Sequence, residues 1–408
     1  MSIKGIYNHQ SADSSAYQSI REDLLKTKVL SYLVLHGDCT LAELADNLDV
    51  SVPTVTKIIS ELTTLNLVSQ KGKAQTAGGR RPVIYGAVDD ALYFVGVDFN
   101  ADSIRYVVVN LNGRQILNDS DSGFVKTDDP HLINTVTKRI LAFIRRSGVE
   151  PEKIFGVGVA VEGRVNFVSG RSYSCGDSEG VSLRDALQQR LNMNVAVENH
   201  TRACCYAESV AESSPEPNNM IYLNLDREVN IGIITDGNLY RGKSGFAGEL
   251  GHVPFFSNEI ICSCGKKGCL QTEASGAAIE RQMAQAIENG LNTVLRTKYE
   301  TGQSLTMNDI VVAALNDDTL SIELIQNTGE KLGKSVAFLL GVFNPQEVVL
   351  GGRLVKAGDC LLLPLKSAAA KFSSSTIYRD TEFRFSTLGD YAGALGAALI
   401  IRNNLIGV

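Results

Sequence analysis

Apolar residues recur at helical spacing from Ile20 to Leu35, where Ile20, Leu24, Leu25, Val29, Leu30, Leu33 and Val34 define one face. His36-Gly37-Asp38 closes that helix, since glycine readily takes a left-handed cap. Thr40 then caps a short helix carrying Leu41, Leu44, Ala45 and Leu48, and Asp49-Val50 makes a turn. Ser51 opens a further helix that tolerates Pro53 in its first turn and buries Val55, Ile58, Ile59, Leu62 and Leu65. The following LVSQKGKAQTAGGRRPVIYGAVD reads as strand, glycine-rich tip, strand, which is a β-hairpin wing. A winged helix-turn-helix over residues 19–88 is therefore expected, behind a polar, Ser-rich flexible arm over 1–18.

After Asp90 the pattern changes. Tyr93–Val97 and Ile104–Leu111 are apolar strands, Asn112-Gly113 starts another hairpin, and 131–146 is amphipathic with helical period. Strands are expected at Phe155–Val161, Asn194–Glu198, Met220–Leu225, Gly232–Thr235 and Glu347–Leu350, the last running into Gly351-Gly352. A helix starts near Thr201. A long helical stretch from Ala277 to Ala337 is interrupted around Tyr299–Leu305, and a Gly/Ala-rich helix closes the chain. This is an α/β architecture of two lobes flanking a cleft: residues 89–200, residues 201–385, and a C-terminal segment, 386–408, returning to the first lobe.

With 408 residues, 44% hydrophobic and 21% charged, the chain has the balance of a soluble globular protein with two or three domains. The net charge of −6 excludes a surface that is basic throughout, so any nucleic-acid contact must be local. Neither a secretory h-region nor an apolar run of about 20 residues is present, and a cytoplasmic protein without a membrane span is expected. The eight cysteines are spread unevenly: Cys262, Cys264 and Cys269 crowd one loop, Cys204 and Cys205 are adjacent, and Cys39, Cys175 and Cys360 are scattered. That distribution favours a metal cluster plus free thiols over disulfides.

The second helix of the helix-turn-helix begins with small hydroxyl residues suited to a major groove. Ser51, Thr54, Thr56 and Lys57 can reach phosphates or base edges, and Lys71, Lys73, Arg80 and Arg81 surround the wing. A GGRRP segment is shaped to lay arginines along a minor groove or backbone. The alternative on these residues alone is a three-helix protein-interaction module with solvated charges.

His252, Cys262, Cys264 and Cys269 offer one imidazole and three thiolates, a complete tetrahedral set for Zn2+. With every position filled by protein, no activated water fits and the ion is structural. Gly265 and Gly268 let the loop close around it. The alternative, free thiols in a surface loop, would invite oxidation.

FAGELGH over 246–252 followed by CSCGKKGCLQTEAS over 262–275 closely resembles the signature of the ROK (repressor, open reading frame, kinase) family. IFGVGVAVEGRV from Ile154 resembles its first sugar loop, VENHTRACCYAE from Val197 its catalytic loop, and FNPQEVVLGG from Phe343 its nucleotide-side strand. The winged helix before GRRP resembles the repressor branch, which includes regulators of N-acetylglucosamine and xylose genes. The resemblance implies an actin-like, hexokinase-type body assembled as a homodimer or homotetramer. It also implies that Gly163, Asn199, Glu249 and His252 face a sugar, with His252 turning one ring nitrogen to zinc and the other to the ligand.

Departures from the kinase pattern coincide. Asp98 is followed by Phe99-Asn100-Ala101-Asp102, with no glycine to admit phosphate to backbone N–H groups. The second phosphate loop reads Leu225-Asp226-Arg227-Glu228-Val229-Asn230, placing acids where a triphosphate would go, and His200 stands where the family has its carboxylate base. Gln271 replaces a sugar-binding glutamate, a role Glu273 would take only by a shift of register, and Glu162 replaces the proline before Gly163. His200 and Gln271 thus alter the ligand pattern, leaving room for a phosphorylated or acidic sugar. The reading is a repressor that binds double-stranded operator DNA, senses a sugar or sugar phosphate, and catalyses nothing. A sugar kinase with an appended winged helix and a repressor controlled by a protein partner are the alternatives.

Overall fold

The computed structural model describes residues 14–74, 81–99, 103–122, 131–175, 180–211 and 218–408. Helix α1 (Ser14–His36) begins inside the segment expected as an arm, so residues 14–18 are helical. It is followed by β1 (Cys39–Thr40), α2 (Leu41–Asn47), α3 (Val52–Thr64), β2 (Val68–Lys73) and β3 (Val83–Ala87). Thr40 and Glu43 form a reciprocal capping box at α2, and Ser51 caps α3 through the Thr54 amide. Val29, Leu30 and Leu33 of α1, Leu44 of α2, and Val55, Ile58, Ile59 and Leu62 of α3 are buried. Leu65, expected on that face, instead ends α3 as its half-buried C-cap. The strands pair antiparallel in the order β1-β3-β2. The expected tip of the wing, 75–80, lies outside the described residues.

The chain divides into two compact units: residues 1–200 with 393–408, and residues 201–392. The winged-helix segment groups with the first unit rather than standing alone, and the chain returns to that unit at Gly393. Beyond the wing, the first unit contains β4 (Tyr93–Phe99), β5 (Ser103–Asn110), β6 (Gln115–Ser122), α4 (Leu132–Arg146) and β7 (Ile154–Val161). It continues with β8 (Val165–Asn166), β9 (Arg171–Ser172), α5 (Leu183–Leu191) and β10 (Asn194–Asn199). The sheet order is β10-β7-β4-β5-β6, with β10, β7 and β4 mutually parallel. One core of buried residues from this sheet, α4 and α5 includes Val97, Tyr106, Phe143, Val159 and Leu187.

Helix α6 (His200–Ala211) leads into the second unit, with β11 (Met220–Leu225), β12 (Val229–Thr235) and β13 (Asn238–Leu239). The expected long helical stretch is divided more often than its apolar pattern indicated, into α7 (Gly276–Glu288), α8 (Arg296–Glu300), α9 (Met307–Leu315) and α10 (Thr319–Phe343). The break before α9, capped by Thr306, is the expected one; of the two extra breaks, Asp318 caps α10 after the second, while the first, before α8, has no side-chain cap. β14 (Glu347–Gly351), α11 (Asp359–Phe372), α12 (Ser375–Asp380) and β15 (Glu382–Phe385) complete the unit, and α13 (Ala392–Ile406) closes the chain. The second sheet runs β13-β12-β11-β14-β15. β15, too short for its pattern to register in the sequence, is tied down by Arg384, which pairs with Glu347 at 2.7 Å and the buried Glu208 at 2.9 Å.

Candidate ligand, metal and DNA sites

In the first unit, strand register gathers the residues expected to face a ligand. Asp98 on β4 lies opposite Ala160 on β7, which lies opposite Glu198 on β10, so the carboxyl ends of three parallel strands finish level. Ligands of α/β sheets sit beyond such ends. Asn199 donates through Nδ2 to the Gly163 carbonyl at 2.8 Å, joining the first sugar loop to the catalytic-loop position. Gly163 has φ +78°, and a Cβ there would fall 1.8 Å from Ser174 Oγ, so only glycine fits. His200 Nδ1 lies 3.0 Å from Oδ1 of the fully buried Asp98. That imidazole is engaged by a carboxylate of its own chain. Asn100, Ala101 and Asp102 lie outside the described residues.

In the second unit, β11 and β14 pair Asn224 with Gly351, which sets Asp226 beside Arg353 just past the strand ends. Arg353 donates to both Asp226 oxygens, Nη2 at 2.6 Å and Nε at 2.9 Å, a bidentate pair. Burial works to raise the Asp226 carboxyl, but the Arg353 hydrogen bonds and charge outweigh it and hold it below its ordinary value. The acid expected to face phosphate is therefore neutralised locally.

The metal loop folds as a small antiparallel clip in which Cys269 pairs with Pro254 and Lys267 with Ile261. Gly268 has φ +74°, and a Cβ there would meet the Phe256 carbonyl at 2.0 Å. The ligand atoms of His252, Cys262, Cys264 and Cys269 all lie within 4.8 Å of one another, a group that can hold a metal ion. Cys264 Sγ is 3.6 Å from Cys269 Sγ, and His252 Nδ1 is 3.4 Å from Cys262 Sγ. His252 Nε2 points the other way, 3.8 Å from Glu249. The Lys266 amide lowers the Cys264 thiol below its usual range, while burial and the adjacent thiols push Cys269 up to about 12. Donor chemistry, spacing and partial burial all fit a soft tetrahedral ion.

Gln271 lies against the metal loop. Its Nε2 donates to Cys262 Sγ at 3.3 Å and Ser263 Oγ at 3.1 Å, while its buried Oε1 has no hydrogen-bond partner among the described residues. Glu273 offers no substitute, because Lys331 holds it at 2.8 Å and Asn258 at 2.9 Å. The Lys331 engagement was not readable from spacing, since it joins residues 58 positions apart.

On the winged helix, Thr54, Thr56 and Lys57 are exposed along α3, and Lys71, Lys73 and Arg81 are exposed on the wing strands and beside them. Ser51 Oγ is engaged at 2.8 Å with Thr54 Oγ1, and Thr56 donates to the Val52 carbonyl, so these hydroxyls are preorganised by the helix itself. Lys57 lies 3.9 Å from Glu61. Arg80 lies outside the described residues.

Among those residues, no helix is long and apolar enough to cross a membrane. A winged helix-turn-helix DNA-binding model matches residues 22–68. The chain is 28% identical over 403 residues to the xylose repressor of Bacillus spizizenii, covering 97% of this chain and 98% of that one. It is 25% identical over 373 residues to the N-acetylglucosamine repressor of Escherichia coli O6:H1, covering 91% and 90%. A solved ROK family transcriptional regulator, homologous to the MLC protein of E. coli, superposes with a TM-score of 0.78 at 23% identity, covering 95% of this chain and 97% of that one. The ROK family model itself matches residues 94–404, and the chain belongs to the ROK family.

Proposed function

We propose that this chain is a DNA-binding transcriptional repressor of carbohydrate genes whose sugar-kinase-like body binds a sugar or sugar phosphate without phosphorylating it. The relatives' names support the repressor part. The observation that carries the non-catalytic part is the internal pairing of Arg353 with Asp226 at the second phosphate loop, beside a first loop whose Asp98-Phe99-Asn100-Ala101-Asp102 run holds no glycine. A base must be able to take a hydroxyl proton, and a phosphate loop must present unopposed donors. Here the loop's own acid occupies the nearby guanidinium; pairing with Asp98 orients the His200 imidazole without disabling it as a base, so the phosphate side decides.

In this reading Ser51, Thr54, Thr56, Lys57, Lys71, Lys73, Arg80 and Arg81 contact operator DNA. Gly163, Asn199, His200, Glu249, His252 and Gln271 meet the effector. His252, Cys262, Cys264 and Cys269 hold a structural Zn2+, which supplies charge compensation for three thiolates and fixes the His252 ring. The regulator acts in the cytoplasm as a homodimer or homotetramer, and effector binding weakens its grip on DNA through differential affinity for two states.

The test is selection of genomic duplexes by the full chain, followed by release with D-xylose, N-acetylglucosamine and their phosphates. Selective capture of fragments near sugar genes, lost on replacing Lys71, Lys73 and Arg81 by alanine, is expected. Indiscriminate binding that survives those replacements would remove the DNA-reading role.

A further inference from the structure

Helix α13 touches functional ground at both ends, within the first unit. At its start, a Cβ on Gly393 would fall 2.6 Å from Asp98 Oδ2 and 2.8 Å from His200 Nδ1, so the first turn rests directly on the Asp98–His200 pair. Asp98 Oδ2 has no hydrogen-bond partner among the described residues, and it faces the positive end of this helix. Along its length the helix lies on the sheet backbone to backbone. A Cβ on Gly96 would meet the Ala394 carbonyl at 1.8 Å, and one on Gly158 the Ala397 carbonyl at 1.9 Å. Arg402 clamps the lower half by donating to the Leu111 carbonyl at 2.7 Å. Close-packed, backbone-level contact leaves no slack for the helix to absorb a displacement by rolling or by changing rotamers.

At its far end, the buried Ile406 carbonyl accepts a hydrogen bond from Ser31 of α1, and a Cβ on Gly407 would lie 2.9 Å from Thr27 Cγ2. One turn earlier on α1, Lys26 pairs with Glu61 of α3 at 2.8 Å, and Glu61 also faces Lys57. A contiguous set of contacts thus runs from the Asp98–His200 pair to the face of α3.

We infer that α13 is a rigid strut that transmits the state of the Asp98–His200 pair to the DNA-reading head through Ser31 and Thr27. Its regulatory consequence rests on the repressor reading above, but the coupling itself needs neither ligand nor DNA. The 15 residues of the helix separate its ends by roughly 22 Å. Sites that far apart ordinarily act additively, so non-additivity between them is diagnostic.

The experiment is hydrogen exchange on the full chain, comparing wild type with His200→Ala, Ser31→Ala, the double variant, and Asn404→Ala as a control at an exposed position of the same helix. His200→Ala should speed exchange of the amides over 27–36 by about fivefold, the size of one lost buried hydrogen bond. Asn404→Ala should leave them unchanged. In the double variant the effect should be smaller than the product of the two single effects. Independent multiplication, or no response over 27–36, overturns the strut.

If His200→Ala does not fold, His200→Leu, which fills the space without donating to Asp98, takes its place. Gly407→Val, read at amides 393–399, tests the reverse direction that reciprocity demands. A coupled chain that captures no duplex would sink the repressor reading and leave the strut standing. An uncoupled chain that sugar still releases from DNA would do the opposite.

Discussion

Arg353 shows how one side chain can change what a loop is able to bind. It turns Asp226 from a repulsive charge into half of a bidentate pair, and the carboxyl titrates below its ordinary value as a result. A depressed carboxyl contributes stability above the ordinary carboxylate pKa of about 3.9 and loses it as pH falls through the lower folded value. Arg353→Ala should therefore cost about 1 kcal/mol at neutral pH, discounted because the guanidinium is partly exposed, and nothing once Asp226 is protonated. Thermal unfolding of both proteins between neutral and strongly acid pH measures this, and an equal deficit throughout would count against the pair. Glu273 teaches the same lesson. Its chemistry was legible, but its partner Lys331 lies 58 positions along the chain.

At the scale of elements, the winged helix was legible almost residue by residue, because its signals are local. Thr40 and Ser51 cap where their side chains permit, and the 3.6-residue period names the buried faces. The metal clip was equally readable, since four ligands within a short span need only a tight turn to meet. Its protonation adds a prediction. Cys269, pushed up to about 12 by burial and neighbouring thiols, must give up its proton when a metal binds. Zinc uptake should strengthen as pH rises and release protons, measured by titration calorimetry in buffers of different ionisation enthalpy. Metal removal should lower the melting temperature, and binding without proton release would contradict this donor set. The helical stretch after Ala277 was less legible, because it is cut where the apolar pattern runs on, once at the Asp318 cap and once with no side-chain cap. β15 escaped notice because four residues are too few for alternation to stand out from chance.

At the scale of the whole molecule, the choice between kinase and regulator turns on the groups at the strand ends. The full chain should show no transfer of phosphate from ATP to D-xylose, glucose or N-acetylglucosamine, with radiolabelled ATP as the readout. Sugar-dependent turnover would reinstate the kinase reading. Local patterns in the chain determined the order of most elements, the capped helix-turn-helix, the candidate metal donors and the absence of glycine after Asp98, since each depends on residues close in sequence. Tertiary structure alone decided that His200 meets Asp98, that Arg353 meets Asp226, and that the last helix touches both the strand ends and the first helix. Those contacts join residues more than a hundred positions apart, and their geometry comes from strand register and helix-on-sheet packing, which only the assembled core sets.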